Sequence, residues 1–176
     1  MGRKIRAVFL DCGDTLVDEG TEVKTEAGVS LRADLIPGAD ELLHALKARG
    51  YSLALVADGP AATFPNNLRP YGLYDLFDAY AISEEVGCEK PAAAMFLTAL
   101  RALDIPDGEA GRVVMVGNNL ERDIAGANAL GLVSVWLDWA PRRSKTPADA
   151  LEAPDYTIKS PLELLGVLDR LENRTR

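Results

Sequence analysis

The sequence predicts an α/β fold: a doubly wound, mostly parallel sheet with helices on both faces, a small flap hairpin and no separate cap domain. Three observations predict it. Apolar, β-branched runs recur along the chain and stop abruptly on glycine- or acid-bearing turns, as strands covered on both faces do. Stretches with apolar residues at helical spacing separate those runs, and this alternation builds right-handed βαβ units. Neither a repeat nor a low-complexity tract divides the 176 residues, so 1–176 reads as one domain.

The elements follow in order. Ile5-Arg6-Ala7-Val8-Phe9-Leu10 is the first buried strand, and it delivers Asp11 to its carboxyl end, where ligands bind in open α/β sheets. From Val17 to Leu31 a weak alternation around Gly20 and Gly28 predicts the flap. Pro37-Gly38 opens an amphipathic helix, Ala39 to Arg49, with Leu42, Leu43 and Leu46 on one face and Gly50 as its stop. Tyr51–Ala57 is the second strand and ends in Asp58-Gly59-Pro60. Residues 61–70 allow a short helix that Pro65 and Pro70 interrupt. After the strand Ala79–Ser83, Pro91 suits the first position of a helix running to Leu103. Arg112–Gly117 is a further strand, followed by the turn Asn118-Asn119 and a helix from Glu121 to Leu130 that Gly131 ends. Leu132–Leu137 and Tyr156–Ile158 are the last strands, separated by a proline-bearing loop, Trp139–Pro154. Pro161–Leu171 closes the fold with Leu162, Leu165 and Leu168 at three-residue spacing.

Composition excludes several function classes. Nineteen basic against 27 acidic residues give a net charge of −8, and no basic block or aromatic-interleaved stretch offers a nucleic acid a footing. No apolar run approaches the roughly 20 residues of a membrane span, and the basic start leads into a strand, so a cytoplasmic protein is expected. Cys12 and Cys88 are too few for a disulfide framework; they read as reduced thiols and small packed side chains. A single histidine, His44, inside a helical pattern, leaves neither Ser-His-Asp nor multi-histidine zinc chemistry.

A parallel sheet gathers its strand ends on one rim, which brings Asp11, Ala57–Gly59, Ser83–Lys90 and Gly117–Asp123 together. Asp-x-x-x-Thr at Asp11–Thr15, small-Asp-Gly at Ala57–Gly59, Lys90-Pro91 after Gly87, and Gly117-Asn118 with Asp123 resemble, in order and approximate spacing, the four motifs of the haloacid dehalogenase superfamily, chiefly phosphatases. Taken singly, each of these residues also serves as a turn or helix-end residue. The resemblance implies a Rossmann-like core and a magnesium-dependent phosphatase acting on a phosphate ester or anhydride. In that reading Asp11 is the nucleophile that forms an acyl phosphate, and Lys90 offsets the charge of carboxylate and phosphoryl group. Mg2+, a hard ion that takes carboxylate, carbonyl and water oxygens, falls to Asp11, the carbonyl of Gly13, Asn118 and Asp123. Substrate contacts fall to the backbone N–H groups of Cys12, Gly13 and Asp14, and to Thr15, Ala57, Asp58, Gly59 and Lys90.

Three positions depart from the family pattern. Gly13 stands where a second carboxylate usually protonates the leaving group, with Asp14 one residue later and turned in another direction. Ala57 replaces a Ser/Thr, and Asn118 replaces an acid. Losing a general acid–base typically costs about 10²–10⁴ in rate. A catalytically impaired relative that binds a phospho-ligand or a protein is therefore the alternative reading. A phosphorylated receiver module fits less well, because it needs its acceptor Asp on a middle strand. The short connections at 17–36 and 60–78 leave no room for a cap, which implies an open site, and with it a bulky phosphorylated substrate or a homo-oligomer that covers it.

Overall fold

Ala7–Leu10 (β1) contains four apolar residues in succession, and all four are fully buried, which is the burial a central strand imposes. In the computed structural model, which describes residues 4–173, the flap strands β2 (Val23–Lys24) and β3 (Ser30–Arg32) come next. They are followed by α1 (Ala39–Ala48), β4 (Ser52–Ala57), α2 (Thr63–Leu68), β5 (Ala79–Ile82), α3 (Ser83–Val86) and α4 (Ala93–Ala102). The chain finishes with β6 (Val113–Gly117), α5 (Ala125–Ala129), β7 (Val133–Leu137), β8 (Tyr156–Ile158) and α6 (Glu163–Asn173). The main sheet has the order β5-β4-β1-β6-β7-β8 with every pair parallel, and β2 and β3 form a separate antiparallel pair.

Alternation along β1 divides the core. Val8 and Leu10 join the layer under α1 and α6, built from Leu42, Leu43, Leu46, Leu164, Val167 and Leu168. Ala7 and Phe9 face the layer under α4 and α5, with Met95, Phe96, Ala99, Leu100 and Ala127. Each fully buried leucine or phenylalanine contributes about 1.5–3 kcal/mol, so both faces hold the sheet. The doubly wound class is thus observed. From β1 the chain runs outward through β4 and β5, then returns to β6 on the other side of β1. The crevice at their carboxyl ends is the topological switch point, where such folds bind ligands.

Local outcomes differ from expectation in three places. The helix expected to start at Pro91 starts at Ala93, because Ala92 is extended (ψ 130°) and Lys90 is drawn toward the sheet by bonds to Asp58 and Val56. The helix expected over 121–130 splits into a π-helical turn, Leu120–Ile124, and the short α5; in the turn, Ile124 N–H reaches back to Asn119 O at 3.3 Å. Residues 61–70 become α2 and a 3₁₀ turn, Arg69–Tyr71. Pro65 is tolerated because it lies in the first turn of α2, where backbone N–H groups have no helical partner.

The flap is seated on α2: Ser30 N–H donates to Thr63 Oγ1 (3.1 Å) and Ser30 Oγ to Asn67 Oδ1 (2.8 Å). A 3₁₀ turn, Glu19–Thr21, leads into it. His44 is exposed on α1. Cys12 and Cys88 are both free thiols and belong to different faces of the sheet. No described helix is long and apolar enough to cross a membrane.

Candidate active site

The pairing that places β1 beside β6 extends one residue further, with Asp11 N–H donating to Val116 O (3.0 Å). The chain then coils on itself: the carbonyl of Cys12 accepts from the N–H groups of Thr15, Leu16 and Val17. This coil leaves the Asp11 carboxylate at the strand end. Its Oδ1 accepts from Lys90 Nζ at 2.8 Å, and Thr15 Oγ1 stands 3.4 Å from Oδ2. The Lys90 ammonium also donates to Val56 O (2.8 Å) and lies 2.7 Å from Asp123 Oδ1, an ion pair without hydrogen-bond geometry.

Electrostatics in this cluster are those of buried charges. Burial pulls the Lys90 pKa down, but the carboxylates of Asp11, Asp123 and Asp58 outweigh it and hold the ammonium above its ordinary range. Asp123 is pushed the other way, its pKa raised mainly by burial and by the nearby Asp11 charge, against the pull of Lys90 and of Asn119 N–H. Gly117 is what makes room for it. A β-carbon there would collide with the Asp123 carboxylate and come 2.6 Å from its Cβ, so the last residue of β6 must lack a side chain.

A polar cavity of about 100 Å³ opens over Asp11, between Gly13, Glu19, Asp58, Lys90, Asn118 and Asp123, with Arg122 and Arg143 at its edge. Asp58 is pinned by Lys90 N–H on one oxygen (3.0 Å) and Arg122 on the other (3.1 Å). Gly59, with φ 142°, donates its N–H to Ser83 Oγ (2.8 Å), which fixes the turn after β4. A neighbouring cavity of about 140 Å³ lies beneath the flap and shares Gly13, Glu19, Asp58 and Phe64 with the first; Cys12 and Gly59 line this second one.

Not every residue singled out in the sequence reaches the cavity. Asp14 has φ 52°, is fully buried, and turns its carboxylate to Arg142 at 2.7 and 2.9 Å. Its N–H donates to Val17 O (2.7 Å), so it is not available to substrate, unlike the N–H groups of Cys12 and Gly13, which no described carbonyl engages. Ala57 is buried in the sheet, and Thr15 is buried behind Asp11. Sequence reasoning missed Glu19, Arg122 and Arg143. The position of Arg122, one residue before Asp123, was a usable signal; Arg143 lies in a long loop with no pattern to mark it.

Among the described residues no three Asp, Glu, His or Cys side chains form a metal cluster. The cavity does supply hard oxygen donors. Asn118 is buried and its Nδ2 has no hydrogen-bond partner among the described residues; turned end for end, the same amide presents Oδ1, an acceptor that a cation would satisfy. Two carboxylates, an amide and backbone carbonyls fit magnesium, which keeps several waters and needs only one or two carboxylates.

The family model of haloacid dehalogenase-like hydrolases matches residues 22–131. A glyceraldehyde 3-phosphate phosphatase of Methanopyrus kandleri is 36% identical over 138 residues, which is 78% of this chain and 56% of that protein. A ribulose-1,5-bisphosphate 5-phosphatase of Halopiger xanaduensis is 37% identical over 137 residues, again 78% and 56%. The chain therefore spans little more than half the length of these curated relatives. Among solved structures, a HAD phosphatase from Thermococcus onnurineus aligns with a TM-score of 0.76 at 21% identity, over 93% of this chain and 98% of that one, a likeness of fold.

Proposed function

The chain belongs to the haloacid dehalogenase-like hydrolases, and from that premise we propose that it is a magnesium-dependent phosphatase in which Asp11 attacks a phosphate ester or anhydride. One observation supports the reading above the others: the Lys90 ammonium, only 2% exposed, lies within 2.8 Å of both Asp11 and Asp123 at the edge of a polar cavity. A buried cation with two anions is costly to desolvate and is weak support for stability, so its place beside a cavity favours a catalytic use.

In this mechanism the phosphoryl group sits over Asp11, with the N–H groups of Cys12 and Gly13 toward its oxygens. Lys90 holds Asp11 in line and balances the charge that builds on the phosphoryl oxygens. Asp58, fixed by Arg122, orients the backbone of Lys90 rather than the substrate. Magnesium, when bound by Asp11, Asp123, Asn118 and the carbonyl of Gly13, would supply further neutralisation of phosphoryl charge.

The relatives' substrates make small phosphate monoesters the first panel to test, and the open site extends it to bulky phosphorylated molecules or to a second subunit that covers the cavity. A cytoplasmic setting is part of the proposal, in keeping with two free thiols. Phosphate release with added magnesium is the test. Asp11→Asn is expected to lower turnover by at least about 10³-fold, since removing a nucleophile removes the pathway; turnover that survives the change overturns the mechanism. Because Asp14 faces away and Ala57 lacks a hydroxyl, a binding-only protein is the second reading. It predicts thermal stabilisation by phosphate without any release from esters.

A further inference from the structure

Ester cleavage through Asp11 requires a group that gives a proton to the departing oxygen and later takes one from water. Position 13, which the resemblance makes the source of that group, is a glycine. Yet its side-chain volume is filled. A β-carbon on Gly13 would collide with Glu19 Oε1 and lie 2.9 Å from Glu19 Cγ and Cδ.

Several bonds aim Glu19 there. It opens the 3₁₀ turn into the flap, capped by Asp18, whose carboxylate accepts from Gly20 N–H (2.8 Å). Glu19 N–H donates to Asp14 Oδ1 (3.1 Å), and Arg142 binds both Asp14 and Asp18, so the displaced acid of the first motif serves to anchor the turn. The other carboxyls around the cavity are engaged: Asp11 and Asp123 with Lys90, and Asp58 with Arg122 and Lys90 N–H. Among the described residues the Glu19 carboxyl accepts no hydrogen bond, and the one cation near it is Arg143 at 3.6 Å. It also forms part of the wall shared by the cavity over Asp11 and the one beneath the flap. A phosphoryl group bound in the first with its leaving group in the second would meet at that wall.

We propose that Glu19 is the general acid–base of this site, brought in from the flap to the place that Gly13 leaves open; the proposal rests on Asp11 being the nucleophile. An Asp11 oxygen forms a bond to phosphorus while the bond from phosphorus to the ester oxygen breaks, its electron pair going to that oxygen and the Glu19 proton with it. Water then attacks phosphorus, the Asp11–phosphorus bond returns its pair to the carboxylate, and the water proton passes to Glu19. Asp11 and Glu19 both end as they began, and the products are an alcohol and phosphate.

Two esters separate this role from a structural one. The oxygen of dinitrophenyl phosphate leaves without a proton, whereas that of phosphoserine, an alkyl ester, needs one. Glu19→Gln is expected to shift the ratio of their kcat/KM values by about 10² against the alkyl ester, the size of a lost general acid. Glu19→Ala clears the volume above Gly13, and adding Gly13→Asp in that background is expected to restore alkyl-ester kcat/KM by at least about tenfold, a larger gain than Gly13→Asp gives in the wild type, where Glu19 must first be pushed aside. Equal losses on both esters, or none on either, overturn the proposal, as does a wild type inert toward both. Turnover that persists in Asp11→Asn overturns the nucleophile reading itself. Turnover that needs Asp11 but ignores Glu19 overturns only the role of Glu19.

Discussion

Lys90 and Arg142 each bridge two carboxylates near the carboxyl end of the sheet. Lys90 sits between Asp11 and Asp123 with its side chain almost wholly enclosed, whereas Arg142, reaching from the loop after β7 to Asp14 and Asp18, is 37% exposed. The first clamp borders the cavity; the second lies behind the turn that carries Glu19. Asp11 and Asp14 are three residues apart in one loop and bind different cations in different directions, because Asp14 takes a left-handed backbone conformation. What separates the two clamps is therefore not their charge but the exposure of the cation and the side they face.

The sharpest test of that contrast is Lys90→Met. It strands two carboxylates, one of them fully buried, and is expected to cost about 3–5 kcal/mol, a fall in Tm of roughly 10 °C, together with at least a ~10²-fold loss of turnover. Part of the stability should return in acid, where the orphaned carboxyls take up protons; calorimetry across pH checks it. Arg142→Ala is the matched experiment on the outer clamp. Arg142 and Asp18 are partly solvated but Asp14 is fully buried, so the loss is expected to be intermediate, about 1–3 kcal/mol, and turnover is expected to fall less than about tenfold, because Asp14 still holds Glu19 N–H. Equal losses at the two positions would mean that the two clamps do the same work.

The smallest effect is expected at the opposite rim, where Asp78 binds Lys47 and accepts Leu53 N–H (2.8 Å). Burial works to raise its pKa, but the bond from Lys47 and the Leu53 N–H outweigh that and lower it. A depressed carboxyl stabilises the fold above its unfolded pKa of about 3.9 and loses that contribution as pH falls through the lower folded value. Asp78→Asn is accordingly expected to cost about 0.5 kcal/mol near neutrality, after discounting for an exposed pair, and nothing once both states are protonated. Turnover should not change. Urea titrations at neutral and acid pH measure it.

Much of this was legible in the sequence because sheet strands announce themselves locally. The buried runs at β1, β4 and β6 end on Asp11, Asp58 and Asn118, and a parallel sheet forces those ends onto one rim whatever the intervening chain does. The ordered motifs then pointed to Lys90, and the structure sets its ammonium 2.8 Å from Asp11. What was hidden depends on contacts that no local pattern records. Asp14 turns away because Arg142, 128 residues later, binds it. Glu19 falls inside a weakly patterned flap, and its direction comes from a 3₁₀ turn and that same remote arginine. The start of α4 lies two residues beyond Pro91 for a related reason: proline marks a helix start well, but here the residue before it is pulled into the site and takes the chain with it.

Seating Glu19 on the entry to the flap, and Asp11 on the central strand, separates two jobs between parts of the chain with different freedom to change. The strand is locked by ladders on either side, while the flap strands rest on α2 through Ser30 and the turn before them is tied to Asp14 and Arg142. Replacing only the flap strands, from Val23 to Arg32, with Glu19 and its turn kept, is therefore expected to change which alcohols are tolerated as a graft, with the proposed acid–base and the strand that carries Asp11 left in place.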